Sequence, residues 1–287
     1  MNILCIDIGA TKVYLGIAEK QFKNIIKWNT ESFLERPDKI IKEIKKDHKI
    51  ESTAVALPGP LDLKNDKIYP PNIQGRNIDI EDLFDDDLYD MILINDCHAG
   101  VIGEYVFGEE KSENMVYLTI STGIGAGVVS NGDLIKGHDN NFAEIGHMYI
   151  GGDRKCGCGG RGHWEAYCSG KNIVDYAEEI TNKSYKSPKH LFDEFENGNE
   201  DAVKVIKKFQ KINAKAFSNI INLYNPEMIV MGGSLALNNT DTIIGDNVSM
   251  IKKNIVNPMP KINVTSLNNY SVLHGLRAIC LDKFNLD

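Results

Sequence analysis

Residues 3 to 8 read ILCIDI, an apolar run broken only by Asp7. Such a run, rich in Ile, predicts a strand buried on both faces. After GATK (9–12), strand character resumes in VYLGIA (13–18), so the chain opens as strand, glycine turn, strand. PDKIIKEIKKDHK (37–49) places Ile40, Ile41 and Ile44 on one face behind Pro37, which predicts an amphipathic helix. STAVALPG predicts a strand stopped by Pro58-Gly59, and MILIND (91–96) a buried strand followed by a helix from about Ala99 to Phe107.

The pattern then starts again. MVYLTISTGIGAGVVSNGDLIKG (115–137) reads strand, glycine turn, strand, with Asn131-Gly132 as a type I′ hairpin turn. From about Asp201 to Tyr224, residues Ala202, Ile206, Phe209, Ile212, Phe217, Ile220 and Tyr224 recur at steps of three to five, the mark of one buried helix face. Asn225-Pro226 ends it. MIVMGGS (228–234) is a further strand and glycine turn, and LHGLRAICLDKF (273–284) a closing helix. Mixed strands and helices with a duplicated core predict an α/β protein of two domains. The expected boundaries are 1–106, rejoined by a C-terminal helix at about 272–287, and a larger domain over 107–271.

Composition narrows the function classes. With 42% hydrophobic and 25% charged residues over 287 positions, the chain can build a core and is not disordered. A net charge of −8 argues against a broad nucleic-acid footprint. No apolar run reaches the length of a membrane span, and the N-terminus lacks the features of a secretory signal, so a cytoplasmic protein is expected. The acidic run DIEDLFDDDLYD (79–90) is expected to be a solvated face, because it lacks the glycine of an EF-hand loop.

Chemistry concentrates at four places. The turns DIGATK (7–12) and STGIGAG (121–127) suit phosphate, because backbone N–H groups can approach an anion there; they equally suit plain strand turns. Neither is a Walker loop, and a strand rather than a helix follows the second, unlike a dinucleotide fingerprint. Asp7 ends a buried strand, where a carboxylate is costly unless it meets a cation. Asn95-Asp96 follows another strand and suits either a site carboxylate or a helix N-cap. KCGCGGRGHWEAYCSG (155–170) carries closely spaced cysteines, which in a reducing compartment are more often metal ligands or redox groups than disulfides. A Cys156–Cys158 bridge would also be strained. Cys5, Cys97, Cys168 and Cys280 lie in apolar settings and read as core.

DIGATK, STGIGAG and MGGS fall where the phosphate and adenosine motifs of the actin, Hsp70 and sugar-kinase superfamily fall. EIGHMYIGGDRKCGCGGRGHWEAYCSG (144–170) resembles the signature of the ROK family of sugar kinases and sugar-responsive repressors. The resemblance implies two actin-like (ribonuclease H-like) α/β domains around a central cleft. It implies an ATP-dependent hexose kinase acting on the 6-hydroxyl of a glucose-type sugar. Asp96 would be the general base. Asn72, Asn95, Asp96, Glu144, His147 and Glu165 would bind the sugar. Asp7 would hold Mg²⁺; Gly9, Thr11, Lys12, Thr122 and Gly123 would lie at the ATP phosphates, and Gly232 and Gly233 at the adenosine. His147, Cys156, Cys158 and His163 would hold a structural Zn²⁺, with His163 standing where the family usually has cysteine. Cys and His ligands both suit tetrahedral zinc.

Other departures concern the sugar. PPNIQGR (70–76) matches the family at Asn72 and Gly75 but has Arg76 in place of Trp. GHDNNFAEIGH has Ala143 in place of Gly, preceded by Asn141 and Phe142, expected to face the C1–C2 side of the sugar. N-acetylmannosamine or N-acetylglucosamine kinase is therefore the alternative, and a non-catalytic sugar sensor a further one. A repressor is disfavoured because no DNA-binding domain precedes the first motif. No nucleic-acid or membrane partner is expected, and the resemblance implies a homodimer.

Overall fold

The computed structural model describes residues 1–70, 72–73, 78–84 and 91–286. Gly75, Arg76 and residues 85–90 of the acidic run lie outside the described residues. The chain divides into two compact units: Met1–Glu113, Gly127–Phe142 and Ser266–Asp287 form one, and Asn114–Ala126 with Ala143–Thr265 the other. Among the described residues, no helix is long and apolar enough to cross a membrane.

The first unit is built on β1 (Ile3–Ile8), β2 (Lys12–Ala18), β3 (Phe22–Asn29), β4 (Ser52–Leu57) and β8 (Met91–Asn95), in the order β3-β2-β1-β4-β8. β1 pairs antiparallel with β2 and parallel with β4, so the first glycine turn is the hairpin between β1 and β2. All six residues of β1 are buried, as its unbroken apolar pattern requires. A small sheet, β5 (Leu61–Asp62), β6 (Lys67–Ile68) and β7 (Ile78–Asp79), lies in the same unit. Its helices begin with α1 (Thr30–Leu34), α2 (Pro37–His48), α3 (Glu81–Phe84) and α4 (Asp96–Phe107). α2 starts on Pro37 and buries Ile40 and Ile41, as its pattern predicts. α4 begins three residues before the expected start because Asn95 caps it. Leu4, Ile6, Ile8, Val13, Leu15, Val55, Leu57 and Phe33 are among the residues of its core.

The second sheet repeats the first. β9 (Met115–Ile120), β10 (Ile124–Ser130), β11 (Asp133–Leu134), β12 (Met228–Gly232) and β13 (Lys261–Val264) run in the order β11-β10-β9-β12-β13. Counted along the chain, both orders are third, second, first, fourth, fifth. The duplicated strand–turn–strand pattern is thus a duplicated topology. Asn131 (φ 52°) and Gly132 (φ 85°) form the β10–β11 hairpin, and positive φ at both positions is what a type I′ turn demands. The helices of the second unit are α5 (Glu165–Cys168), α6 (Ile173–Thr181), α7 (Pro188–Glu196), α8 (Glu200–Tyr224), α9 (Ser234–Asn238), α10 (Thr240–Ile244) and α11 (Val248–Lys252). α8 buries Ala202, Ile206, Phe209, Phe217 and Ile220 and ends at Asn225, whose φ of 44° is left-handed. α12 (Ser271–Cys280) closes the chain and packs in the first unit on α4, β1 and β4.

Candidate functional site

In the first unit, two carboxylates stand at strand ends: Asp7 near the end of the fully buried β1, and Asp96 after β8, which is half-buried over Met91–Leu93 and buried only at Ile94 and Asn95 rather than throughout as expected. Asp7 lies one residue from the end of β1, paired in register with Tyr14 and Ala56, and only 9% of it is exposed. Burial, and then the charge of Asp96, push its carboxyl from the ordinary 3.8 up to about 8. Asp96 is the first residue of α4. Burial pushes it up to about 6, against the lowering effect of hydrogen bonds at Cys97. The cap of α4 is Asn95, not Asp96: Asn95 Oδ1 accepts from the N–H groups of Cys97 (2.9 Å) and His98 (3.2 Å). Asp96 is thereby free of the capping role, and its Oδ1 accepts from Cys97 N at 2.8 Å. A helix N-terminus favours the ionised carboxylate.

The first glycine turn is closed by Gly9 N donating to Lys12 O at 3.0 Å, and Thr30 Oγ1 braces it by donating to Gly9 O at 2.8 Å. Thr11 and Lys12 are exposed beside it. Partial desolvation of its otherwise exposed side chain, and then Lys27 nearby, hold Lys12 below the usual lysine range. The loop before Glu144 shows a different arrangement from the expected one. Asn141 Nδ2 donates to Leu61 O (2.7 Å) and its Oδ1 accepts from Leu61 N (2.6 Å). Both ends of this amide are engaged on backbone, not presented to a ligand. Asn72 is half-buried.

In the second unit, His147, Cys156, Cys158 and His163 converge, with one ligand atom from each within 4.8 Å of all the others. Cys156 Sγ lies 3.7 Å from His147 Nδ1, and Cys158 Sγ 3.3 Å from His163 Nδ1. A tetrahedral site with metal–sulfur and metal–nitrogen bonds of ordinary zinc length has ligand edges of about 3.5 Å. The donor set and its spacing therefore fit a closed four-ligand metal. All six cysteines are free thiols. Burial pushes the Cys156 thiol up to about 11, and burial is also what holds His147 below its usual value.

Backbone bonds shape the cluster. Cys156 N donates to Gly160 O (2.8 Å) and Gly159 N to Cys156 O (3.0 Å), while Ile150 N to Gly162 O and Trp164 N to Met148 O tie its two ends together. Trp164 is fully buried, and its Nε1 donates to Asn213 Oδ1 of α8 at 2.8 Å. This anchor escapes sequence reasoning because Asn213 lies within the apolar face of α8.

His147 turns its other nitrogen, Nε2, toward Glu144, 3.9 Å away. Glu144 is exposed, whereas Glu165 is 3% exposed and accepts from Ile124 N at 2.8 Å. That bond reaches the second glycine turn. Gly170 N donates to Ser121 O (2.7 Å) and Lys171 N to Thr122 O (3.2 Å), so the segment after the cluster brackets Thr122 and Gly123. Ser121 Oγ also shares a hydrogen bond of 3.2 Å with Ser234 Oγ, beside Gly232 and Gly233. A Cβ on Gly232 would lie 2.5 Å from Tyr117 Oη, and Gly233 adopts φ 86° against Ile120 O, so this pair has a packing reason of its own.

The chain is 36% identical to a glucokinase of Pyrobaculum calidifontis over 196 residues, 67% of this chain and 66% of the relative. It is 32% identical to a xylose repressor of Bacillus spizizenii over 184 residues, covering 63% of this chain and 47% of that protein. The matches thus span between about half and two thirds of these two relatives. Among solved structures, a ROK hexokinase from Thermus thermophilus superposes with a TM-score of 0.82 at 25% identity, covering 99% of both chains. A ROK family glucokinase from Streptomyces griseus, solved with glucose and AMPPNP, has a TM-score of 0.80 at 21% identity, covering 97% of this chain and 99% of that one. The actin-like α/β fold of the ROK sugar kinases is therefore the fold of this chain. A sequence model of the ROK family matches residues 3–281, and the chain belongs to that family.

Proposed function

We propose that the chain is an ATP-dependent hexose kinase that transfers the γ-phosphate of ATP to the 6-hydroxyl of a glucose-type sugar. The observation that carries this reading is the carboxylate pair of the first unit: Asp7 and Asp96, both raised by burial, at the ends of two strands of one sheet. A carboxylate beside an anionic neighbour in a buried site is what a divalent cation and a proton-accepting step require.

Asp96 is the general base of this reading. Raised to about 6, it is mostly ionised at pH 7 to 8 and a stronger base than an ordinary carboxylate. Cys97 N fixes Oδ1, which leaves Oδ2 to take the proton of the attacking hydroxyl. Asn95 holds α4 through its oxygen and offers Nδ2 to a sugar oxygen. Asp7 is assigned to the water shell of Mg²⁺. When bound, Mg²⁺ supplies charge neutralisation at the β- and γ-phosphates. Gly9, Thr11, Lys12, Thr122 and Gly123 are assigned to phosphate, Gly232 and Gly233 to the adenosine, and Asn72, Glu144, His147 and Glu165 to sugar hydroxyls. Carboxylates suit this last task because they accept hydrogen bonds from adjacent hydroxyls.

We assign His147 Nδ1, Cys156, Cys158 and His163 to one structural Zn²⁺. Four protein ligands close its coordination sphere, so it would fix the loop rather than take part in the chemistry. The test of the function is ADP release with glucose, mannose, fructose, N-acetylglucosamine and N-acetylmannosamine in turn, with the phosphorylated position read by NMR. Hexose-dependent ADP release giving a 6-phosphate is expected. Preference for N-acetylmannosamine would move the assignment to the amino-sugar kinase, and no sugar-dependent ADP release would refute a kinase.

A further inference from the structure

Gly127 is the last glycine of STGIGAG, and the phosphate reading gives it no task. It lies on β10, in the same compact unit as α4. A Cβ built on Gly127 would come within 2.8 Å of the Cys97 carbonyl carbon, closer still to its oxygen, and 2.9 Å from Val101 Cγ1. Real Cβ atoms essentially never approach backbone closer than 3.0 Å. β10 therefore touches the first turn of α4 backbone to backbone, at the residue that follows Asp96.

The backbone of Cys97 is the anchor of this turn. Its N–H serves both Asn95 Oδ1 (2.9 Å) and Asp96 Oδ1 (2.8 Å). α4 cannot retreat from pressure at Gly127, because α12 is packed just as closely. A Cβ on Gly275 would lie 2.6 Å from the Ala99 carbonyl carbon, and one on Gly103 2.9 Å from Gly275 N. The helix is gripped between two surfaces whose closest atoms are mostly backbone, which cannot absorb a shift as the end of a flexible side chain can. Cores of this density transmit strain.

We propose that Gly127 is a positioning residue for Asp96. Its missing side chain sets the height of the first turn of α4, and with it the place of the carboxylate. The inference rests on the kinase reading for its kinetic consequence, but its structural consequence is independent of that reading.

Gly127→Ala tests it. The added methyl group must displace the Cys97 carbonyl by on the order of 1 Å, the scale of response to overpacking. A misplacement of that size costs up to about 10²-fold in rate. The expected result is a kcat reduced about 10- to 100-fold, with the KM for sugar and the Kd for ATP each within about threefold of wild type. A crystal structure of the variant should show Asp96 moved relative to β1. A glycine kept only for stability would lower Tm and leave the kcat of the folded fraction intact, and that outcome overturns the proposal. If Gly127→Ala does not fold, Val101→Ile presses on the same glycine more mildly; a severalfold loss of kcat at constant KM supports the proposal, and an unchanged kcat overturns it. An unmoved Asp96 in Gly127→Ala overturns the inference whatever the activity. Lack of hexose kinase activity in the wild type overturns the kinase reading wherever Asp96 lies.

Discussion

Asp7→Asn should make the metal-free protein more stable while damaging its function. The carboxyl of Asp7 rises from 3.8 to about 8 on folding, chiefly through burial. The folded chain thus holds this proton more tightly than the unfolded chain, so stability is fullest below about pH 4 and falls as pH rises toward 8. Each decade of proton affinity is worth about 1.4 kcal/mol, which gives a cost of about 3 kcal/mol at pH 6 and about 5 kcal/mol at pH 8. Asn has nearly the same shape and no charge to bury. In EDTA, denaturant unfolding should show Asp7→Asn more stable than wild type, by a margin that grows by roughly 2 kcal/mol between pH 6 and pH 8. Mg²⁺ with ATP should narrow the margin, because a ligand of the folded state stabilises only the protein that binds it. Turnover of the variant should be low and depend on Mg²⁺ concentration. A variant no more stable than wild type at either pH would refute the reasoning, since Asp7 would then not be a buried charge awaiting a cation.

Three further outcomes follow from the site. Asp96→Asn should lower turnover by on the order of 10²-fold or more, with ATP affinity nearly unchanged; the wild-type pH profile of kcat/KM for the sugar, measured at saturating Mg²⁺–ATP so that the cation holds Asp7 ionised, should fall on its acid side near pH 6, where Asp96 takes up its proton. His163→Ala should reduce bound metal, read by elemental analysis of untagged protein, and weaken sugar and nucleotide affinity together; full affinity without metal would contradict the scaffold role. Ala143→Gly should raise stability in denaturant unfolding by up to about 1 kcal/mol, because Ala143 adopts a φ of 67°, where an L-residue costs roughly 1–2 kcal/mol and glycine's chain entropy returns only part of that.

The sequence discloses what is buried and periodic. Both glycine hairpins, α2 and α8 follow from apolar spacing, because each buries one face or both; the strand before Asn95 also forms as expected but is only half-buried over its first three residues. β3, with exposed and half-buried residues throughout and no alternation to mark it, does not. The two-residue strands β5, β6 and β7 are too short to carry a period at all. Candidate site residues stand out in the sequence where the residue type is unusual for its setting: a carboxylate ending a strand, or Cys and His among glycines. Local hydrogen bonding was not legible. Asn95 and Asp96 are equally good caps on paper, and only the backbone shows that Asn95 takes the cap. Asn141 looked available to a sugar until its amide was seen on Leu61.

The place of Glu165 shows what a metal held by the proposed four-ligand cluster would do for the rest of the site. It follows His163 by two positions, so whatever fixes the imidazole fixes the start of α5. Its side chain then holds Ile124 N, at the first residue of β10, and the residues after α5 hold the carbonyls of Ser121 and Thr122. One short segment therefore carries a member of the Cys/His cluster at one end and contacts with the second glycine turn at the other. Fixing four side chains by coordination removes freedom that a glycine-rich loop would otherwise keep, and preorganised acceptors and donors bind with less ordering cost. The same reasoning would accommodate His163, like a cysteine, as a ligand of the proposed metal. Its Nδ1 lies 3.3 Å from Cys158 Sγ, within the spacing that a four-ligand site requires. What the loop requires at this position is a donor at the right distance, and both residue types supply one.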